Sequence, residues 1–175
     1  TVGDRTLQRA VDLSQKYGTG IHIHVAEDLS DQEHCREKYG KRVVQRLSDA
    51  GVLDRPGTLL AHCLHLDGHE REMVAKSRAW VVENMESNLN NEVGLFRPDG
   101  LGDRIMLGTD GMHSDMLRSA KAAFFAGRRT DPMDYAGIYR RFRNVDRYLR
   151  ETGIPGAGEN NLVVLGYDSP SPLQP

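Results

Sequence analysis

Two histidines on alternate positions of a β-branched run, Gly20-Ile21-His22-Ile23-His24-Val25-Ala26-Glu27, constrain this chain more than any other stretch. If residues 21–26 form a strand, both imidazoles leave the same face, because side chains alternate with a period of two. Glu27 then falls just past the strand end, three residues after His24. Two later runs also carry polar groups at or near their ends: Thr58-Leu59-Leu60-Ala61-His62-Cys63 and Arg104-Ile105-Met106-Leu107-Gly108-Thr109-Asp110-Gly111. Strands that finish in His, Glu, His and Asp point to one shared site.

The segments between these runs read as helices and turns. Leu7, Ala10, Val11 and Ser14 recur on one face of a helix over 4–17. Ser30 followed by Glu33 has the form of a capping box, with Tyr39, Val43, Leu47 and Ala50 at helical spacing and Gly40 placed to split the helix. Gly51 and Asp54-Arg55-Pro56-Gly57 close that unit before a strand over 58–64. Asp67 with Glu70 starts a helix carrying Met73 and Val74, and a third strand follows over 79–84. The polar run 87–92 and the turn-rich 97–100 give no clear helix. After a strand over 104–109, Ser114 caps a helix with a Leu117, Ala120, Phe124 stripe, and Asp131-Pro132 opens the next. In that helix Tyr135, Ile138, Phe142, Val145 and Leu149 point one way. Arg140, Arg141, Arg143, Arg147 and Arg150 lie largely elsewhere, as a solvated face or as a hold on an acidic partner. Gly153, Pro155, Gly156 and Gly158 end it, and Asn161–Tyr167 reads as a closing strand.

Four strands alternating with helical segments imply an α/β fold with a parallel sheet and helices outside it. A closed eight-stranded barrel takes about 250 residues, so the 175 here suffice for half of one. The 38% hydrophobic content and net charge of -2 fit a globular chain with no general attraction to nucleic acid. No run approaches the ~20 apolar residues of a membrane span, and no secretory leader follows Thr1, which points to the cytoplasm. Cys35 and Cys63 form no Cys-x-x-Cys pair and are read as reduced.

Imidazole nitrogens and a carboxylate oxygen suit Zn²⁺ and are acceptable to iron or manganese. On this reading His24 and Asp110 are the ligands of one divalent ion, while Glu27 and His62 handle protons and substrate. Each has a structural alternative: a strand histidine is commonly a hydrogen-bonded core or rim residue, and Asp110 can cap the following turn. His113 is placed to approach substrate from the loop after Asp110, whereas His34, His65 and His69 read as surface or loop residues.

The motifs His22-Ile-His24-Val-Ala-Glu27, Ala61-His62-Cys63-Leu-His65, Glu86-Ser87-Asn88-Leu89-Asn90-Asn91 and Leu107-Gly-Thr-Asp110-Gly111 together resemble the amidohydrolase superfamily. They are most similar to its metal-dependent aminohydrolases and chlorohydrolases, which include guanine, cytosine and S-adenosylhomocysteine deaminases. In phrasing the first, third and fourth of these motifs are nearest the aminohydrolase associated with selenium metabolism. The resemblance implies that residues 1–152 are the C-terminal half of a (β/α)8 TIM-type barrel, strands five to eight. Residues 153–175 would carry the return strand and tail of a small β-sandwich. It implies that His24 is the strand-five ligand of a zinc-type ion, Glu27 the proton-shuttling acid, His62 a substrate-contacting catalytic histidine, and Asp110 the strand-eight ligand that activates water. Ser87 and Asn88 would line the substrate loop after strand seven. The implied reaction is attack of activated water on a ring or amide carbon of a small molecule, expelling ammonia, an amine or chloride.

The family takes two further ligands from a strand-one His-x-His, and nothing before Gly20 matches it. Assigning His22-x-His24 to that role is the alternative, but the 38 residues from His24 to His62 fit neighbouring strands and favour strand five. The stretches 94–104 and 126–162 are short for the family, and Asn160-Asn161 replaces its usual Ala-Asp. Three functions follow from this pattern. The first is a hydrolase completed by another copy or by a missing N-terminal half. The second is an inactive half-barrel acting through association, and the third a histidine-rich metal-binding module.

Overall fold

The short β-branched runs form one parallel sheet. In the computed structural model, which describes residues 2–154 together with Val163, Val164 and Gly166, α1 (Asp4–Tyr17) precedes β1 (His22–Val25). Then come α2 (Leu29–Tyr39), α3 (Val43–Asp49), β2 (Leu59–His62), α4 (Gly68–Lys76) and β3 (Trp80–Glu83). They are followed by α5 (Met85–Asn90), β4 (Ile105–Leu107), α6 (Met116–Ala126), a 3-10 turn at Gly127–Arg129 and α7 (Tyr135–Thr152). The strands lie in chain order, all parallel, with His24 beside Ala61, Ala61 beside Val82, and Val82 beside Met106. The closing strand expected over 161–167, and with it the small β-sandwich unit, falls largely outside the described residues. No helix among the described residues is long and apolar enough to cross a membrane.

Alternation divides the sheet into two faces. Val25, Leu60, Val81, Ile105 and Leu107 join the main core with Leu7 and Val11 of α1, Val44 and Leu47 of α3, and Val74 of α4. Full burial of each such side chain is worth about 1.5–3 kcal/mol. On the other face Trp80, Val82 and Met106 form a smaller cluster with Leu59 and with Tyr148 of α7. α7 thus packs Ile138 and Phe142 into the main core and reaches round β4 to the second face with Tyr148. Its Asn144 amide donates to the Ile105 carbonyl at 2.7 Å. One otherwise free group of the edge strand is thereby covered. Cys35 and Cys63 are free and buried.

Several local expectations are met. α1 buries Leu7, Val11 and Ser14, Asp67 and Glu70 form a reciprocal capping box, and Gly40 in the left-handed region (φ 66°) separates α2 from α3. Others are corrected. The cap of α2 is Asp28, whose side chain accepts from the Ser30 N–H while Asp31 returns the bond, so Ser30 lies inside the helix. Asp115 and Asp134, rather than Ser114 and Asp131, cap α6 and α7. α6 turns Ser119 and Ala123 inward and leaves Leu117 52% exposed, because small side chains permit close packing against its neighbours. The polar run after residue 84 does form a helix, α5. Arg141 is not a solvated residue: it pairs with Glu83 and Asp131 beneath α7. Burial raises the Glu83 carboxyl above its ordinary range against the pull of Arg141.

Candidate metal and active site

The strand ends carry an unusual backbone. Ala26 (φ 46°), His62 (φ 71°), Cys63 (φ 54°) and Asp110 (φ 52°) all occupy the left-handed region. Residues other than glycine enter that region at a cost, and such strain gathers where side chains must be re-aimed. His62 shows the effect. Unbroken alternation would send it after Leu60 onto the helix-covered face, yet its ring lies 4.8 Å from that of His24, edge to face. Gly108, just before Asp110, is required for a different reason. A Cβ there would lie 2.2 Å from Asn84 Oδ1 and 2.5 Å from Val82 Cγ1.

Four groups then converge. Glu27 Oε2 lies 3.6 Å from His24 Nδ1 and 3.5 Å from His62 Nε2, and Asp110 Oδ2 lies 3.7 Å from His62 Nε2. One ligand atom each from His24, His62 and Asp110 fall within 4.8 Å of one another. His62 is fully buried, whereas the His24 side chain is 59% exposed. Glu27 and Asp110 are about as exposed as each other, at 22% and 23%.

α5 and the residue that caps it, Asn91, hold this group from one side. Ser87 Oγ donates to Asp110 Oδ2 at 2.6 Å, Asn88 Oδ1 lies 2.8 Å from His62 Nδ1, and Asn91 Nδ2 donates to Glu27 Oε1 at 3.2 Å. The Ser87 hydroxyl holds the Asp110 carboxyl below the usual carboxylate range. The Gly111 N–H and the two histidines act in the same direction, and partial burial opposes them.

The side chains expected to meet substrate are engaged with protein. Ser87 and Asn88 are buried against Asp110 and His62. His113 Nε2 lies 2.8 Å from Glu86 Oε2, and its Nδ1 accepts from the Asp115 N–H at 3.0 Å, so both ring nitrogens are in use. His113 and Arg118 hold Glu86 below its ordinary carboxylate range. His34 and His69 are exposed, and His65 binds the Val93 carbonyl at 2.8 Å. Sequence reading missed Glu86 and Asn91 as partners of the site; the amide-rich run Ser87-Asn88-Leu89-Asn90-Asn91 was the available signal.

The donor set fits a cation. Two imidazole nitrogens and one carboxylate oxygen match zinc chemistry, and His62 Nε2 is buried with no hydrogen-bond partner among the described residues. Bonds of about 2.0–2.1 Å require ligand atoms roughly 3.3 Å apart. The ligand atoms here lie within 4.8 Å of one another, wider than that.

Three comparisons set this geometry among known proteins. The family profile described as "Amidohydrolase family" matches residues 1–140. A 5-methylthioadenosine/S-adenosylhomocysteine deaminase of Caldanaerobacter subterraneus subsp. tengcongensis is 39% identical over 118 residues, 66% of this chain and 27% of that protein. The deaminase of the same name from Halothermothrix orenii is 32% identical over 168 residues, 92% of this chain and 36% of that protein. The chain therefore spans roughly a third of the length of such relatives. Among solved structures, a zinc-bound adenosine deaminase of Xanthomonas campestris superposes with a TM-score of 0.76 at 24% identity, covering 87% of this chain and 37% of that one. A zinc complex of atrazine chlorohydrolase from Arthrobacter aurescens gives 0.72 at 19% identity, covering 84% and 35%. These structural likenesses speak to the parallel α/β fold, and the profile match over most of the chain to its kinship: the chain belongs to the amidohydrolase family.

Proposed function

We propose that residues 1–152 form the C-terminal half of a (β/α)8 barrel and carry part of the active site of a metal-dependent hydrolase. Its reaction breaks a C–N bond, or C–Cl, of a heterocyclic or amide small molecule. The observation that carries this reading is the approach of His24, His62 and Asp110 ligand atoms to within 4.8 Å of one another beside Glu27. Deaminases and a chlorohydrolase among the similar proteins support the reaction class.

His24 and Asp110 would hold the ion, with His62 in reach as a further ligand or as the group that orients the attacked atom. Zinc suits this set best, with iron or manganese as alternatives. A bound divalent ion acidifies water and polarises the substrate. Asp110, kept ionised by Ser87, accepts a proton as the water oxygen bonds to the substrate carbon. Glu27 gives its proton to the ring nitrogen, the water proton held by Asp110 reaches the leaving amine, and the second water proton returns to Glu27 as the C=O bond forms and the C–N bond breaks with ammonia expelled. Asn91 on its other oxygen keeps Glu27 Oε2 turned toward the two histidines.

The experiment is metal analysis of the purified 175-residue chain together with ammonia release from an aminopurine nucleoside. Stoichiometric zinc and turnover support the reading. Stoichiometric zinc without turnover favours a half-site that needs complementary strands, which the edge of β1, unpaired with any strand among the described residues, would accept. Failure to bind zinc sinks the metal reading.

A further inference from the structure

Among the contacts of α5, the pairing of Asn88 with His62 is the most constrained. Both residues are fully buried, so water has no access to either side of the bond. Asn88 Oδ1 lies 2.8 Å from His62 Nδ1. A carbonyl oxygen carries no hydrogen, so the proton of this bond resides on Nδ1 and Nε2 keeps its lone pair. That nitrogen is unpartnered among the described residues and faces Glu27 Oε2 at 3.5 Å and Asp110 Oδ2 at 3.7 Å. Two carboxylates alone would draw the single proton of a neutral imidazole to Nε2. The opposite amide orientation would reinforce them by setting Nδ2–H against Nδ1, and no lone pair would then be left for a cation.

We propose that Asn88 is a positioning residue that selects the tautomer of His62, keeping the proton on Nδ1 so that Nε2 presents a lone pair to the space shared with His24 and Asp110. The role rests on the reading of that space as a cation site, and it assigns Asn88 a task distinct from touching substrate. Metal-bound histidines are commonly fixed in this way through their second nitrogen.

Imidazole-¹⁵N NMR of the full metal-free chain at about pH 9, where imidazoles are neutral, reads the tautomer directly. The native chain is expected to show the Nδ1–H pattern at His62. Asn88→Asp, which can only accept, is expected to retain it, and Asn88→Leu to lose it in favour of Nε2–H. An Nε2–H pattern in the native chain, a switch in Asn88→Asp, or no change in Asn88→Leu would overturn the assignment. If Asn88→Leu does not fold, the native chain and Asn88→Asp decide alone. Zinc affinity, measured by chelator competition, is expected to fall roughly 10- to 100-fold in Asn88→Leu. A switched tautomer with unchanged zinc affinity would remove His62 from the cation site and leave the role of Asn88 in tautomer choice standing.

Discussion

Where the strands begin, rings are packed and charged side chains are held in ion pairs. Trp80 meets Tyr148 edge to face at 6.0 Å, Tyr148 donates to the Gly57 carbonyl at 3.1 Å, and Arg147 pairs with Asp103 while Arg104 pairs with Glu151. Where the strands finish, four residues hold left-handed backbones, and His62 Nε2 and Asn88 Nδ2 are buried without partners among the described residues. Strain of this kind costs about 1–3 kcal/mol per residue. One end of a four-stranded sheet therefore secures the fold, and the other departs from its rules to gather reactive groups.

The widest separation between the ends is expected in variants of the site. In the metal-loaded protein Glu27→Gln should lower turnover about 10²- to 10⁴-fold with zinc retained, the usual worth of a general acid. Asp110→Asn should reduce both zinc content and turnover and, by losing the ionised acceptor of Ser87, also lower the denaturation midpoint, which Glu27→Gln should move little. Equal zinc loss in the two variants would contradict their separate roles. At the opposite end, Trp80→Ala should destabilise by about 3–5 kcal/mol in urea titrations. Zinc affinity in the remaining folded protein should be unaffected, and a parallel loss would show that the two ends are coupled.

A smaller effect joins the site to stability. Ser87 holds the Asp110 carboxyl low, so the stability from this bond is complete above the ordinary carboxylate pKa and lost as pH falls through the depressed folded value. Ser87→Ala should cost roughly 1.5 kcal/mol near pH 7 and flatten the loss of stability as pH falls below about 4. A native-like acid profile in the variant would separate Ser87 from Asp110. The smallest change is expected for Tyr148→Phe, which removes one hydrogen bond and keeps the ring, at about 0.5–1.5 kcal/mol.

How much of this could be read from the chain follows from distance along it. The four parallel strands were legible because alternation and turn residues are local signals, and the structure brings His24, Glu27 and Asp110, named from the strand ends, close together. α5 was not, since six residues including three asparagines or serines carry no helical period. Arg141 was misassigned because its partner Glu83 is 58 positions away, and only the folded sheet brings α7 across it. The ring of His113 was assigned to substrate, but Glu86 and the Asp115 N–H take both its nitrogens.

Cys63 follows His62 directly, and its buried thiol is pushed well above the ordinary range by the loss of solvent. A thiol so placed reacts with an alkylating reagent only when the end of β2 opens. Its rate of modification by iodoacetamide is therefore a clock for how often the histidine beside it comes out of position, and it runs without any substrate.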